Sequence, residues 1–182
     1  MTGRRLALYT FGMFQGSADD NANQGFHDRN DAAFAAAETA EGYIARSGYE
    51  DELGPASWGP QVYPRFYVER GDGWSPSTIS LWTDIESAMA FSYSGQHAEA
   101  LKHGRLWMVK PEWPPYVLWW VDDAHIPDWA EAVARLEHLA DHRPGPHAFD
   151  FKSPFGSDGL QATLDRARIK ALAALNASRR PQ

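Results

Sequence analysis

The chain has 182 residues, a net charge of −7 and no cysteine, which excludes a disulfide framework, a zinc–thiolate site, an iron–sulfur cluster and a thiol nucleophile. Its one basic cluster of note is Arg179-Arg180, so nucleic acid is a poor partner, and no apolar run approaches the roughly 18 residues that span a membrane. The length suits one domain with its own core, the start carries no secretory signal, and the default location is cytoplasmic.

Arg5 to Phe11 alternates loosely and reads as a first strand, and the Gly-, Asp- and Asn-rich stretch Gly12 to Asn30 as a long loop. Asp28 or Asn30 caps an Ala-rich helix over Asp31 to Arg46, which Ser47-Gly48 stops. Tyr49 to Pro60 is mixed, with Gly and Pro, and begins a strand before looping. Gln61 to Arg70 alternates, with Val62, Phe66 and Val68 on one face and Tyr63, Arg65 and Tyr67 on the other; Gly71-Asp72-Gly73 turns it into a hairpin with Thr78 to Asp84.

Asp84 caps a helix through Ile85, Ala88, Met89 and Ser92 that continues past Gly95 to His103. Tyr116 to Val121 is a continuous apolar run, a strand buried on both faces. Pro127 starts a third helix with the stripe Trp129, Val133, Leu136 and Ala140. His147 to Phe151 is a short extended piece, and a last helix over Asp158 to Leu175 carries Leu160, Leu164, Ala167 and Ala171 on one face.

This order predicts an α+β chain of the ferredoxin-like β-α-β-β-α-β type with extra C-terminal helices. Such a sheet carries helices on one face only. Here the strands offer aromatic and apolar groups on both faces, so the expected cover for the second face is the sheet of another copy, giving a homodimeric α/β barrel. The expected division is a barrel domain over 1–155 and a helical extension over 156–182.

Three stretches carry a family resemblance. The first is SLWTDIESAMAFSYSGQHAEALKHGRLW, with Trp82, Asp84, Phe91, Tyr93, Ser94, Gly95, His97, Arg105 and Trp107. The second is VLWWVDDAHIP, with Leu118 to Val121, then His125, Ile126 and Pro127; the third is RLEHLADHRPGPHAFDFKSPF. Together they resemble the domain of unknown function 3291 family. The resemblance implies a fold more than an activity, namely the dimeric α/β-barrel superfamily, whose members include cofactor-independent monooxygenases, haem-degrading oxygenases, polyketide cyclases and muconolactone-isomerase-like proteins. The sequence departs from the pattern at Leu101-Lys102-His103-Gly104, where the family carries more basic residues. It departs also in the length of the 12–30 loop and of the helix after Phe155.

The residues themselves offer His97 as a general base, since an imidazole titrates near working pH. The competing role is a structural histidine bonded to backbone. Arg105 with Trp107 suits a clamp on an anionic oxygen, against a simple cation–π stack or ion pair, and Tyr93 completes the catalytic group. Trp82, Phe91 and Trp120 are expected walls of the pocket, with Trp119 and Trp120 pointing to opposite faces of their strand. Tyr63, Arg65 and Tyr67 suit a pocket lining or an exposed edge, His125 joins the ligand-binding group, and His27 belongs to a lid or is a solvated surface residue.

His138-x-x-x-His142 has metal-ligand spacing but no third ligand nearby, so no metal is expected. No cofactor is expected either. Haem is disfavoured because the haem-binding relatives' ligand aligns near Leu101, which cannot bind iron. No Gly-rich phosphate cradle or Gly-x-Ser-x-Gly elbow is present. The expected function is that of a small-molecule enzyme acting on an apolar or aromatic metabolite by proton transfer: oxygenation without a cofactor, cyclisation or isomerisation. The alternatives are a non-catalytic binder of a hydrophobic ligand or haem, and a structural or interaction protein with a filled barrel.

Overall fold

The computed structural model describes residues 3–179, without the side chains of Gln96, Ala100 and Leu101. Its strands are β1 (Arg4–Phe11), β2 (Tyr43–Arg46), β3 (Ser77–Trp82) and β4 (Tyr116–Asp122). They form one open sheet in the order β2-β3-β1-β4, with every neighbouring pair antiparallel. The helices are α1 (Gln24–Glu38), α2 (Ile85–Ser92), α3 (Gly95–Trp107), α4 (Trp129–Asp141) and α5 (Arg166–Ser178), with a 3-10 turn at Asn21–Asn23. The chain is therefore α+β, as its pattern of elements predicts.

Side chains alternate across a strand, so the register sorts the sheet into two faces. Ala7 lies between Leu81 and Trp119, and Tyr9 between Ile79 and Val117. These residues share one face, and Tyr9, Ile79, Val117 and Trp119 are all 0% exposed. Their cover is Trp129, Ala132, Leu136 and Leu139 of α4, together with Tyr49, Trp58, Tyr63, Phe66 and Tyr67 from the segment between β2 and β3. Leu6, Leu8, Trp82 and Leu118 share the opposite face, packed against Ile85 and Ala88 of α2 and against Phe149 and Phe151.

Both faces are thus covered from within the chain, and helices lie on both. The expectation of a bare apolar face that only a second copy can cover is corrected. The apolar pattern of the strands is real, but α4 and the β2–β3 segment occupy the place assigned to the partner's sheet.

Four local expectations also change. Gln61 to Arg70 is not a strand: Pro64 in its middle has no N–H for a ladder, and the chain turns there with the Tyr67 N–H donating to the Pro64 carbonyl at 2.9 Å. The strand that pairs with β3 is instead β2, four residues that the Ala-rich pattern assigns to the end of a helix. The helix itself begins earlier, because Asp20 caps the 3-10 turn that runs directly into α1. Asp28 lies within α1 and accepts from Gln24 Nε2 at 2.6 Å.

The C-terminal helix begins at Arg166, where Asp165 accepts from the N–H groups of Ala167 and Arg168. Leu160 and Leu164 precede it, and no residue of α5 is buried. Polar contacts fix it: Arg168 pairs with Asp84 at 2.8 Å and Glu86 at 3.4 Å, and Arg179 donates to the Thr39 carbonyl at 2.9 Å. Exposed pairs of this kind contribute up to about 1 kcal/mol each, so α5 is a lightly held addition to the core. In α4 the buried stripe is Trp129, Ala132, Leu136 and Leu139, with Val133 packed beside it; Ala140 is exposed.

Candidate functional site

The α2–α3 junction places His97. Asp84 caps α2 by accepting from the Ser87 N–H at 2.8 Å, and α2 ends at Ser92. Gly95 then adopts φ +58°, a conformation that favours glycine, and α3 restarts there. The break lets the Ser92 carbonyl accept from His97 Nδ1 at 2.8 Å. A carbonyl only accepts, so Nδ1 carries a proton, and in the neutral ring Nε2 then holds the lone pair.

Burial lowers the proton affinity of His97 below that of an ordinary imidazole, against the opposing pull of the Ser92 carbonyl. The ring packs on Phe91 with centroids 5.0 Å apart, and Phe91 stacks on Trp82 at 5.2 Å. Trp82 in turn donates from Nε1 to Ser80 Oγ at 2.9 Å. His97, Phe91 and Trp82 are therefore brought together as expected, on the α2 side of the sheet.

The same face carries a polar row that sequence reasoning missed. Thr10 pairs with Thr78 on one side and Tyr116 on the other, so three hydroxyl-bearing residues lie in register across β3, β1 and β4. All three residues are half-buried, and the Thr10 and Thr78 hydroxyls lie 2.7 Å apart. Burial, and next to it the neighbouring Tyr93 hydroxyl, push the Tyr116 phenol well above its usual range, so it stays a neutral donor. Tyr93 and Tyr116 both pack on Phe151, at 5.8 and 5.1 Å. The available signal was polar Thr10 and Thr78, each flanked in its strand by buried neighbours, Tyr9 and Phe11 for the first and Ser77 and Ile79 for the second.

The remaining candidates are dispersed. Arg105 is exposed, and its carbonyl accepts from Gln15 Nε2 at 3.2 Å; the guanidinium over the Trp107 ring is that of Arg29, at 5.6 Å. The expected Arg105–Trp107 clamp is corrected accordingly. Trp107 is buried with Phe14 and Ala18 in a separate small core. Trp119 and Trp120 do face opposite ways: Trp119 donates to Glu131 of α4 at 2.9 Å, and Trp120 to the Phe155 carbonyl at 2.7 Å. Tyr63 and Tyr67 pack on each other at 4.6 Å over the α4 face, and Arg65 is tied to Asp141. His125 binds Glu131 at 2.6 Å.

His27 borders a second feature, an open cleft of about 390 Å³ lined by Ala18, Asp19, Asp20, Gln24, His27 and Trp74. Its Nε2 donates to the Ala18 carbonyl at 2.9 Å, and its ring lies 6.1 Å from that of Trp74. The side chain of Leu101, where the resemblance leads one to expect the haem ligand of relatives, lies outside the described residues.

The family model described as Domain of unknown function (DUF3291) matches residues 5–165. The chain belongs to the DUF3291 family. The match takes in all four strands and α1 to α4, and α5 starts just beyond it. Of the three stretches that carry the resemblance, the first falls on β3, α2 and α3, the second on β4 and the turn after it, and the third on α4 and the segment that runs on to Phe155. Among solved structures, the chain is similar to the NE2512 protein of unknown function from Nitrosomonas europaea, at 12% identity over 70% of this chain and 96% of that one, with a TM-score of 0.41. No curated protein matches it.

Proposed function

We propose that this DUF3291 protein is a small-molecule enzyme that moves a proton on an apolar or aromatic compound, with His97 as the base. The observation that carries this reading is the His97 imidazole: neutral, fixed in one tautomer by the Ser92 carbonyl, and left with a lone pair on Nε2. Phe91 and Trp82 supply an aromatic wall beside it. The Thr10, Thr78 and Tyr116 hydroxyls supply donors for a developing enolate or phenolate oxygen. Arg105 has no part in this version. Isomerisation and cyclisation need nothing more than such a base and such donors.

The strand order supports a ferredoxin-like sheet, since a β-α-β-β-α-β chain with two crossovers gives this antiparallel sequence of neighbours. We read the domain as one that closes its own barrel face with α4. The proposed homodimer therefore has to use some other surface.

The test is deuterium uptake. A panel of enolisable aryl ketones and phenols is incubated with the protein in D₂O, and loss of the exchangeable carbon-bound proton is followed by NMR. At least one compound is expected to exchange faster than in buffer, with a loss of about 10²- to 10⁴-fold in His97→Gln. Equal rates in the wild type and His97→Gln would refute the assignment, as would a panel that never exceeds buffer. The cleft beside His27 and Trp74 favours a second reading, a non-catalytic binder, because its volume falls within the range of ligand sites. Saturable quenching of Trp74 fluorescence by a panel compound, without deuterium uptake, would support that reading.

A further inference from the structure

We propose that His147, packed with His138 and His142 at the end of α4, is a proton-operated latch, which holds residues 145–151 against α4 while its ring is neutral and loosens them in acid. The three imidazoles meet at the C-terminal end of α4. His138 stacks on His142 with centroids 4.2 Å apart and planes at 16°, and His147 meets His138 edge-on at 4.6 Å. The sequence spacing pairs only the first two; the turn after α4 brings in the third.

Arg135 makes the arrangement sensitive to protons. Its Nη1 donates to His147 Nδ1 at 2.6 Å and to the His147 carbonyl at 2.8 Å. A guanidinium has no acceptor, so this ring nitrogen must hold a lone pair. Protonating His147 sets donor against donor and cation against cation. Burial, then Arg135, then His138 depress its proton affinity accordingly. His142 donates from Nδ1 to the His138 carbonyl at 3.0 Å.

Glu131 offsets part of this at His147, but less than burial, Arg135 and His138 oppose it. From α4, Glu137 and Asp141 are committed to Arg65 of the β2–β3 segment, and Glu131 to Arg135 and to His125 of the β4–α4 turn. Arg143, in the turn itself, adds a further cation. The trio is not arranged as a metal site. Its rings meet by faces and edges, and among the described residues no group of three potential ligands is placed to hold an ion.

The latch lies upstream of a functional surface. Gly145 and Ala148 exchange backbone bonds at 2.9 and 3.1 Å, and Phe149 then bonds to Leu118 of β4 in both directions, at 2.8 and 2.9 Å. Phe151 follows, lying over Tyr93 and Tyr116. Loosening 145–151 removes Phe151 from beside Tyr93 and uncovers the half-buried Tyr116 whether or not His97 is a base. Because the folded-state affinity of His147 is depressed, the unfolded or opened segment binds more protons. The contribution of the His147–Arg135 contact to the hold is complete above the ordinary imidazole pKa of about 6.5 and is lost as the pH falls through the lowered value.

The test is amide hydrogen exchange of residues 145–151 in the full chain, at about pH 7.5 and about pH 5.5, with rates corrected for intrinsic exchange. The opening equilibrium of the wild type is expected to rise several-fold in acid, up to a limit of about tenfold for a single imidazole between these two pH values, with the same midpoint as the His147 ring resonance. His142→Gln/His147→Gln is expected to show no such rise, since a glutamine oxygen accepts from Arg135 without titrating; both positions are exposed, so the fold tolerates the change. No change in the wild type would overturn the proposal. So would the same rise in the double variant, or a His147 midpoint unconnected to the opening.

Discussion

Replacing Trp129 with alanine is expected to lower the unfolding free energy by about 3–5 kcal/mol. Trp129 is 0% exposed at the first turn of α4, the helix that takes the place of a partner sheet. Its ring lies edge-on to Tyr9 at 6.4 Å and against Tyr49 at 5.7 Å, and its Nε1 donates to Ser57 Oγ at 3.2 Å. One side chain therefore joins the sheet, the helix and the β2–β3 segment. A domain is typically stable by about 5–15 kcal/mol, so the loss is a large share of the total. Urea unfolding of the two proteins measures it directly. A cost below about 1 kcal/mol would mean that α4 does not seal the sheet, and Trp129→Phe should keep much of the stability because it fills most of the volume.

Gly48→Ala is expected to cost about 3 kcal/mol, at the upper end for an added methyl group, because the obstacle is backbone. A Cβ there would lie 1.6 Å from the Pro55 carbonyl oxygen. The approach is close because Gly48 donates its N–H to the Ala56 carbonyl at 3.0 Å, while the Trp58 N–H donates to Ser47 Oγ at 2.9 Å. These bonds fold the start of the β2–β3 segment back on itself and seat Trp58 against the α4-side core. For a chain of this length a loss of that size lowers the melting temperature by roughly 6–12 °C. A change within about 2 °C would show that the 55–58 turn moves aside freely.

What the sequence revealed depended on how local each signal is. The run Tyr116 to Val121 has apolar groups at every position and forms β4 as expected, and the Trp129–Leu136 spacing forms α4. The family signature likewise brings Trp82, Phe91 and His97 together. Periodicity shows that a helix has an apolar stripe, but not what the stripe lies on. The same α4 that was read as an addition to a dimer barrel is the cover of its own sheet. The alternation of Gln61 to Arg70 misled because it records half-burial, which a segment lying across a core shares with a strand; Pro64 was the contrary mark.

The site was partly visible for the same reason. His97 stands beside a glycine that breaks a helix, a local feature, whereas the row Thr78, Thr10 and Tyr116 exists only once three strands are in register. The Arg105–Trp107 clamp failed because neighbours two apart on a helix do not share a face, and Arg29 from α1 reaches the indole instead.

The nitrogen-15 NMR spectrum of the labelled imidazoles, followed from about pH 8 to about pH 5, tests the reading of His97 most directly. The account predicts a neutral His97 ring at pH 7 with its proton on Nδ1, and a midpoint below about 6.5. A ring protonated on Nε2, or a midpoint above that value, would contradict it.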